Sequence, residues 1–333
     1  MGLVRPGEGE RRRQLRVQGR RQLVAYSSST SRATADSKLS PNSSAPAPQS
    51  QAPGSSRAPV PRRASRIRPS PSSHTNTTDT PGPVTSTAGM VPHQDAAAPQ
   101  NYRVIRRLKA CLNGGRMESF VPRTPAELAA NALAVVAAGA EAVHIHPRGA
   151  DGRESLAAGH VGAAVAAVRA VGVPVGVSTG LWIAGGDHAR RRAAIDGWTV
   201  LPDFASVNVG EDGYDDLVAL LQSRGVAVEA GVWTPDEADR TGPVDRILVE
   251  ILDTPADRAT ARADAILARL DTTTPILLHG EEDACWPLIA HAGRLGLPTR
   301  IGWEDTLTGP AGEPVRDNAE LVRLALRQWS SAA

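Results

Sequence analysis

From Arg103 onward the chain repeats one pattern eight times: a short apolar or β-branched run, then an Ala-rich stretch of helical periodicity. The runs are Val104–Leu112, Ala142–His146, Val173–Ser178, Phe204–Asn208, Val226–Ala230, Arg246–Ile251, Pro275–His279 and Thr299–Trp303. The first helical stretch opens at Thr124-Pro-Ala-Glu127, where Thr can cap, Pro suits the first turn and Glu can reach back to the cap. The others run over residues 157–170, 188–195, 214–223, 236–240, 256–270, 284–295 and 318–329. Strands alternating with helices at this spacing predict βαβ units and a parallel sheet. Eight units within residues 101–333 predict a (β/α)8 barrel, a fold of roughly 250 residues. An open doubly wound sheet is the alternative. It calls for a Gly-rich turn after the first strand, and Asn113-Gly114-Gly115-Arg116 lacks the G-x-G-x-x-G spacing.

The pattern starts only after residue 100, and composition explains why. Residues 1–100 hold 16 Ser, 13 of the 26 Pro, and 14 Lys+Arg against 5 Asp+Glu. Such a segment cannot bury enough apolar area to offset its ordering entropy, so 1–100 is expected to be a disordered basic extension. Its Arg-rich, acid-poor start (Arg11, Arg12, Arg13, Arg16, Arg20, Arg21) has the look of an organelle transit peptide. An over-called start codon is the other reading, with Met90 as the initiator, and a genuine extension is the third. The formal charge of +2 is therefore a near-cancellation, because residues 101–333 carry 23 basic and 30 acidic residues. The basic residues lie in the extension and not on a folded face, so no nucleic-acid partner is expected. No apolar run reaches 18 residues, so no membrane span is expected and the chain reads as cytoplasmic. Cys111 and Cys285 exclude a disulfide scaffold and a CxxC zinc site, and both read as buried small hydrophobes.

In a barrel of this kind the site lies at the carboxyl ends of the strands. Those ends carry Asn113 and Arg116; His144, His146 and Arg148; Ser178 and Thr179; Asn208 and Glu211; Glu229 and Trp233; His279 and Glu281; and Glu304 and Asp305, with Arg300 at the start of the last strand. His144-Ile145-His146 is the sharpest signal. Side chains two apart on a strand share a face, so both imidazoles can chelate one divalent ion. Glu304 on the last strand is the candidate third ligand, and two His, one carboxylate and an open position make a catalytic zinc site. The alternative is a pair of hydrogen-bonded polar residues in a barrel interior. Amidohydrolase-type enzymes end their first strand in HxH; here it ends the second, which speaks against them.

With both ends of the site in view, the chain resembles the β-keto acid cleavage enzymes, also called 3-keto-5-aminohexanoate cleavage proteins. Three stretches carry the resemblance. The first runs from Thr124-Pro-Ala-Glu-Leu through Ala138-Gly-Ala-Glu-Ala-Val-His144-Ile-His146-Pro-Arg148 to Asp151-Gly152-Arg153. The second is Val177-Ser178-Thr179-Gly180. The third is Arg300-Ile-Gly302-Trp-Glu304-Asp305, followed by Asn318-Ala-Glu-Leu-Val322. The resemblance implies one zinc per chain on His144, His146 and Glu304, and Asp305 as a general base held by Arg300. It implies Ser178 as a substrate or oxyanion contact, and Glu229 on a glutamate-bearing strand. It further implies condensation of a β-keto acid with acetyl-CoA, then retro-Claisen cleavage to acetoacetate and a new acyl-CoA, by a homo-oligomer, commonly a tetramer.

The departures from the family pattern bear on substrate. An acid usually follows the first strand; Arg116 stands there and suits an anionic substrate group, or else points to solvent. Glu211 takes a position often held by Thr, either to bind a substrate cation or as a surface carboxylate. Thr179 and His279 are further candidate substrate contacts, His279 alternatively supporting another site residue. The loops after strands 6 and 7, Asp253-Thr-Pro-Ala and Gly280-Glu281-Glu282-Asp283, are short and acidic, a poor cradle for an adenosine diphosphate. The expected activity is thus the acetyl-CoA-dependent cleavage. The alternatives are a CoA-independent zinc lyase or aldolase, and a metal- or small-molecule-binding barrel without turnover.

Overall fold

The computed structural model of the chain describes residues 105–333. The expected extension, with Met90, lies outside the described residues, as does Val104, the first residue of the expected first strand. Eight strands follow in order: β1 (Leu108–Cys111), β2 (Ala142–Ile145), β3 (Val175–Ser178), β4 (Phe204–Asn208), β5 (Ala227–Val232), β6 (Arg246–Ile251), β7 (Ile276–Gly280) and β8 (Thr299–Ile301). Each is followed by a helix: α1 (Pro125–Ala137), α2 (Ala158–Val168), α3 (His188–Asp196), α4 (Tyr214–Ser223), α5 (Pro235–Ala238), α6 (Ala256–Leu267), α7 (Cys285–Leu295) and α8 (Asn318–Ala332).

All paired strands are parallel, in the order β7-β6-β5-β4-β3-β2-β1-β8. The remaining seam, between β7 and β8, is drawn together by the Leu278 N–H donating to the Pro298 carbonyl at 3.0 Å. The Thr299 hydroxyl adds a second bond, to the Leu278 carbonyl at 2.8 Å. The eight strands therefore form a nearly closed barrel, as the repeat predicts.

Local chemistry sets the helix starts. Thr124 caps α1 by accepting from the Glu127 N–H at 3.2 Å, and Glu127 accepts in return from the Thr124 N–H at 3.0 Å, the reciprocal box that the sequence predicts. Asp187 and Asp317 cap α3 and α8 more simply, each side chain accepting from the N–H three residues on, of Arg190 and of Glu320. Strand alternation then sorts the core. Val143, Ile145, Val175, Val177, Ala205, Val207, Ile247 and Val249 join the large apolar cluster packed under the helices. Each Val or Ile buried there contributes about 1.5–3 kcal/mol. Residues of the opposite parity, Ala142, Phe204, Ala227, Leu248 and Leu277, form a separate small plug in the barrel interior. Gly176 on β3 makes room for it, since a Cβ there would lie 2.1 Å from the Phe204 ring. Higher on that inward face the residues turn polar, and these build the site.

One strand departs from expectation in a way that matters. The last strand was expected to run to Trp303; it stops at Ile301 because the chain turns at Gly302. The Asp305 and Thr306 N–H groups both donate to the Gly302 carbonyl, at 2.8 and 3.1 Å. On a strand Glu304 and Asp305 would point to opposite faces; on this turn both meet inward-facing residues of the barrel. A Cβ at Gly302 would sit 1.7 Å from the Cys111 carbonyl oxygen, backbone that cannot swing aside. Gly302→Ala is therefore expected to force β1 and β8 apart, costing about 1–3 kcal/mol or more and displacing Glu304. Denaturant unfolding checks this; an unchanged midpoint contradicts it.

Among the described residues no helix is long and apolar enough to cross a membrane.

Candidate metal centre and its surroundings

His144 lies on β2 and His146 follows its end, both facing inward and both buried. Their Nε2 atoms stand 3.1 Å apart with the rings nearly perpendicular, at 80°. Tetrahedral zinc with bonds of about 2.0–2.1 Å sets its ligand nitrogens about 3.3 Å apart. Glu304 brings Oε1 to 3.3 Å from the His146 Nε2 and Oε2 to 3.9 Å from the His144 Nε2. One atom from each of the three residues falls within 4.8 Å of the others. The buried Oε2 of Glu304 has no hydrogen-bond partner among the described residues. Two imidazole nitrogens and an unsatisfied carboxylate oxygen converging on one point are a donor set that fits a divalent cation.

The turn after β1 holds this arrangement. Asn113 clamps both backbone groups of His146, donating to its carbonyl at 2.8 Å and accepting from its N–H at 2.9 Å. Gly114 has φ +53°, and a Cβ there would come within 2.6 Å of the Glu304 Cγ, so the bare backbone admits the glutamate stem. Arg148 secures the same turn by donating to the Gly114 and Arg116 carbonyls.

Beside the three donors lies the second half of the site. Arg300, on β8, donates to Asp305 Oδ1 from Nε at 3.0 Å and from Nη2 at 2.7 Å, and from Nη2 to Glu304 at 3.0 Å. Burial works against the Glu304 charge, but Arg300 and the two imidazoles hold its carboxyl well below the usual range. Asp305 behaves oppositely. Burial raises it to about 8, with Glu304 and Glu281 adding to the rise and Arg300 opposing it. Asp305 Oδ2 has no hydrogen-bond partner among the described residues. His146 is pushed down by burial, yet Glu304 and Glu154 outweigh that and bring it up to about 10. His144, enclosed with less compensation, is pushed well below its ordinary value. A divalent cation would compete directly with the His146 proton.

The remaining sequence candidates separate by position. Ser178 ends β3 buried, its hydroxyl accepting a long 3.4 Å bond from the Gly180 N–H. Thr179 turns its hydroxyl to the Ser206 carbonyl at 2.6 Å. Glu211 is enclosed and accepts from the Leu181 N–H, Asn208 and Arg191, which braces the loops after β3 and β4. Glu229 sits in the barrel interior, paired with Lys109 on one oxygen and with Arg246 on the other at 2.7 Å. Arg116 reaches across the mouth to Glu282 at 2.5 Å. His279 is fully buried between Glu250, at 3.5 Å, and Asp305, at 3.6 Å. The short acidic loops contain the two non-glycine residues of positive φ, Asp253 (48°) and Glu282 (50°), among the described residues. The Glu282 N–H is tied to the Asp305 carbonyl at 2.7 Å.

Two residues escaped the sequence reading. Glu250, inward-facing on β6, gives no local signal. Glu154 does give one: the Asp151-Gly152 turn folds residues 148–154 back on themselves, with the Gly149 N–H donating to the Arg153 carbonyl at 2.8 Å. That turn returns Glu154 to His146, and its Oε1 meets the His146 Nδ1 at 2.5 Å.

Residues 108–240 match the family model of the beta-keto acid cleavage enzymes. The match includes His144, His146 and Ser178, and ends before β6. No curated protein matches the chain. Among solved structures, a ternary complex of ObcA with a C4-CoA adduct and oxalate is 18% identical, with a TM-score of 0.49 and 63% of each chain covered. The chain thus spans less than two thirds of that protein's length. A type I 3-dehydroquinate dehydratase from Clostridium difficile is 12% identical, with a TM-score of 0.47, 68% of this chain covered and 93% of that one. Over residues 108–240 the chain is therefore similar to the beta-keto acid cleavage enzyme family.

Proposed function

We propose that this barrel cleaves a β-keto acid in a zinc-dependent exchange with acetyl-CoA, releasing acetoacetate and a new acyl-CoA. The observation that carries the reading is the His144–His146–Glu304 donor set directly beside the Arg300–Asp305 pair. A zinc ion held by those three residues would supply Lewis-acid polarisation of the substrate's keto oxygen. The remaining chemistry belongs to the chain's own residues. Asp305 is the base: Arg300 occupies its Oδ1, and its Oδ2 takes a proton from C2 of the keto acid. A carboxyl raised toward neutral pH suits that task better than an ordinary aspartate. The C2 carbon then bonds to the acetyl carbonyl carbon, and the CoA thiolate leaves. The thiolate attacks C3, the C2–C3 bond breaks, and Asp305 returns its proton to C2 of the departing acetoacetate. Ser178, with a weakly engaged hydroxyl at the mouth, is assigned to hold a substrate oxygen.

The acidic rim after β7, with Glu282 largely exposed, favours a second reading in which the same donors and base cleave the C–C bond without CoA. A panel of β-keto acids incubated with and without acetyl-CoA separates the two. Acetoacetate appearing only with acetyl-CoA is the expected result. Cleavage without it establishes the second reading. No turnover of any panel member by zinc-loaded protein leaves a binding barrel and defeats both.

A further inference from the structure

We infer that Glu154 is a positioning residue that sets the tautomer and aim of His146, and that Trp182 determines which way Glu154 can work. The inference rests on the metal reading above.

The backbone delivers Glu154 to the ring. Arg148 and Glu154 pair across an antiparallel bridge, and the Ser155 N–H donates to the Pro147 carbonyl at 2.8 Å. The hairpin therefore places residue 154 beside residue 146. Both oxygens of the Glu154 carboxylate are then engaged: Oε1 with His146 Nδ1 at 2.5 Å, and Oε2 with the Trp182 indole N–H at 3.0 Å. An indole N–H can only donate, so it claims one oxygen for itself. The other oxygen accepts from Nδ1–H, which leaves the His146 Nε2 as the lone-pair nitrogen, pointed at His144 and Glu304. A carboxylate behind a ligand histidine fixes its tautomer and orientation and raises its basicity. The arrangement is one-sided, because the Nδ1 of His144 has no such partner among the described residues.

Glu154→Gln turns this into a test. The amide has one oxygen, and Trp182 demands it, so the NH2 faces Nδ1. Nδ1 must then accept, the ring proton moves to Nε2, and a protonated Nε2 cannot bind a metal. Removing the competing donor with Trp182→Phe frees the amide to flip and present its oxygen to Nδ1–H. Zinc affinity, measured by chelator competition, is expected to fall about 10–100-fold in Glu154→Gln and to recover in Glu154→Gln/Trp182→Phe, with Trp182→Phe alone close to the parent. A role in fold stability alone predicts no recovery, since the second change removes a further contact. Independently of any variant, the ring-nitrogen NMR shifts of zinc-loaded parent protein should show His146 protonated on Nδ1 and metallated on Nε2. Unchanged affinity in Glu154→Gln, absence of recovery in the double variant, or the opposite tautomer overturns the inference. Parent protein that retains no zinc defeats the metal reading and this inference with it, whereas parent and Glu154→Gln binding zinc equally defeats the positioning role alone.

Discussion

Glu229→Gln is expected to destabilise the barrel by about 3–5 kcal/mol at neutral pH, the cost of breaking a buried ion pair from one side. Glu229 is completely enclosed and lies between Lys109 and Arg246, both also enclosed, with Phe204 about 5.6–5.7 Å from each cation. An uncharged amide would remove the anion that both buried cations share. The same triad predicts a pH dependence. Burial alone would raise the Glu229 pKa, but Lys109 and Arg246 outweigh it and hold the group at about 2. A glutamate in the unfolded chain titrates near 4.3. The folded value is the lower one, so the contribution is complete above about pH 4.3 and disappears as the pH falls through about 2. A difference of roughly two pKa units corresponds to about 3 kcal/mol, in line with the mutational figure. Urea unfolding of parent and variant at pH 7 and at pH 2.5 checks both statements. The gap in stability should be large at pH 7 and should narrow in acid. Equal midpoints at pH 7 would show that the triad does not hold the barrel together.

The second large effect concerns turnover. Asp305→Asn is expected to lower the rate of β-keto acid cleavage by about 10²–10⁴-fold, the usual worth of a positioned base, while zinc content stays at the parent level. The substitution is nearly isosteric. Its oxygen can still accept from Arg300, and Arg300 keeps its bond to Glu304, so the three donors are undisturbed. What disappears is the free carboxylate oxygen that accepts the proton. A zinc-replete Asp305→Asn protein with full activity would remove Asp305 from that role. Arg300→Met is a harsher change, because it releases Glu304 and Asp305 together and should disturb zinc retention as well as rate.

Much of this architecture is legible in the sequence. The alternation of short β-branched runs with Ala-rich stretches is a local property, and it predicts the barrel because each strand–helix unit can bury its apolar face only against the next. The reciprocal cap at Thr124 and Glu127 is equally local. So is the inward pairing of His144 and His146, since a spacing of two on a strand places both on one face whatever surrounds them. The Gly302 turn was less visible. The run Thr299–Trp303 reads as a strand, and only the close passage of the Cys111 carbonyl explains why the chain turns early and presents Glu304 and Asp305 to the same interior.

The repeat, the facing of the paired histidines and the family resemblance are therefore all readable along the chain. Which charges meet follows only from how the strands assemble. Glu229 read as a rim residue, and barrel closure instead joins it to Lys109, 120 positions away in the chain. Glu154 acquires its partners only where a hairpin and an indole from the next strand's loop converge. Periodicity reports which face a side chain occupies, because that follows from bonds to its neighbours. Which partner it finds there depends on strand register around the barrel, and no single segment of the chain encodes that.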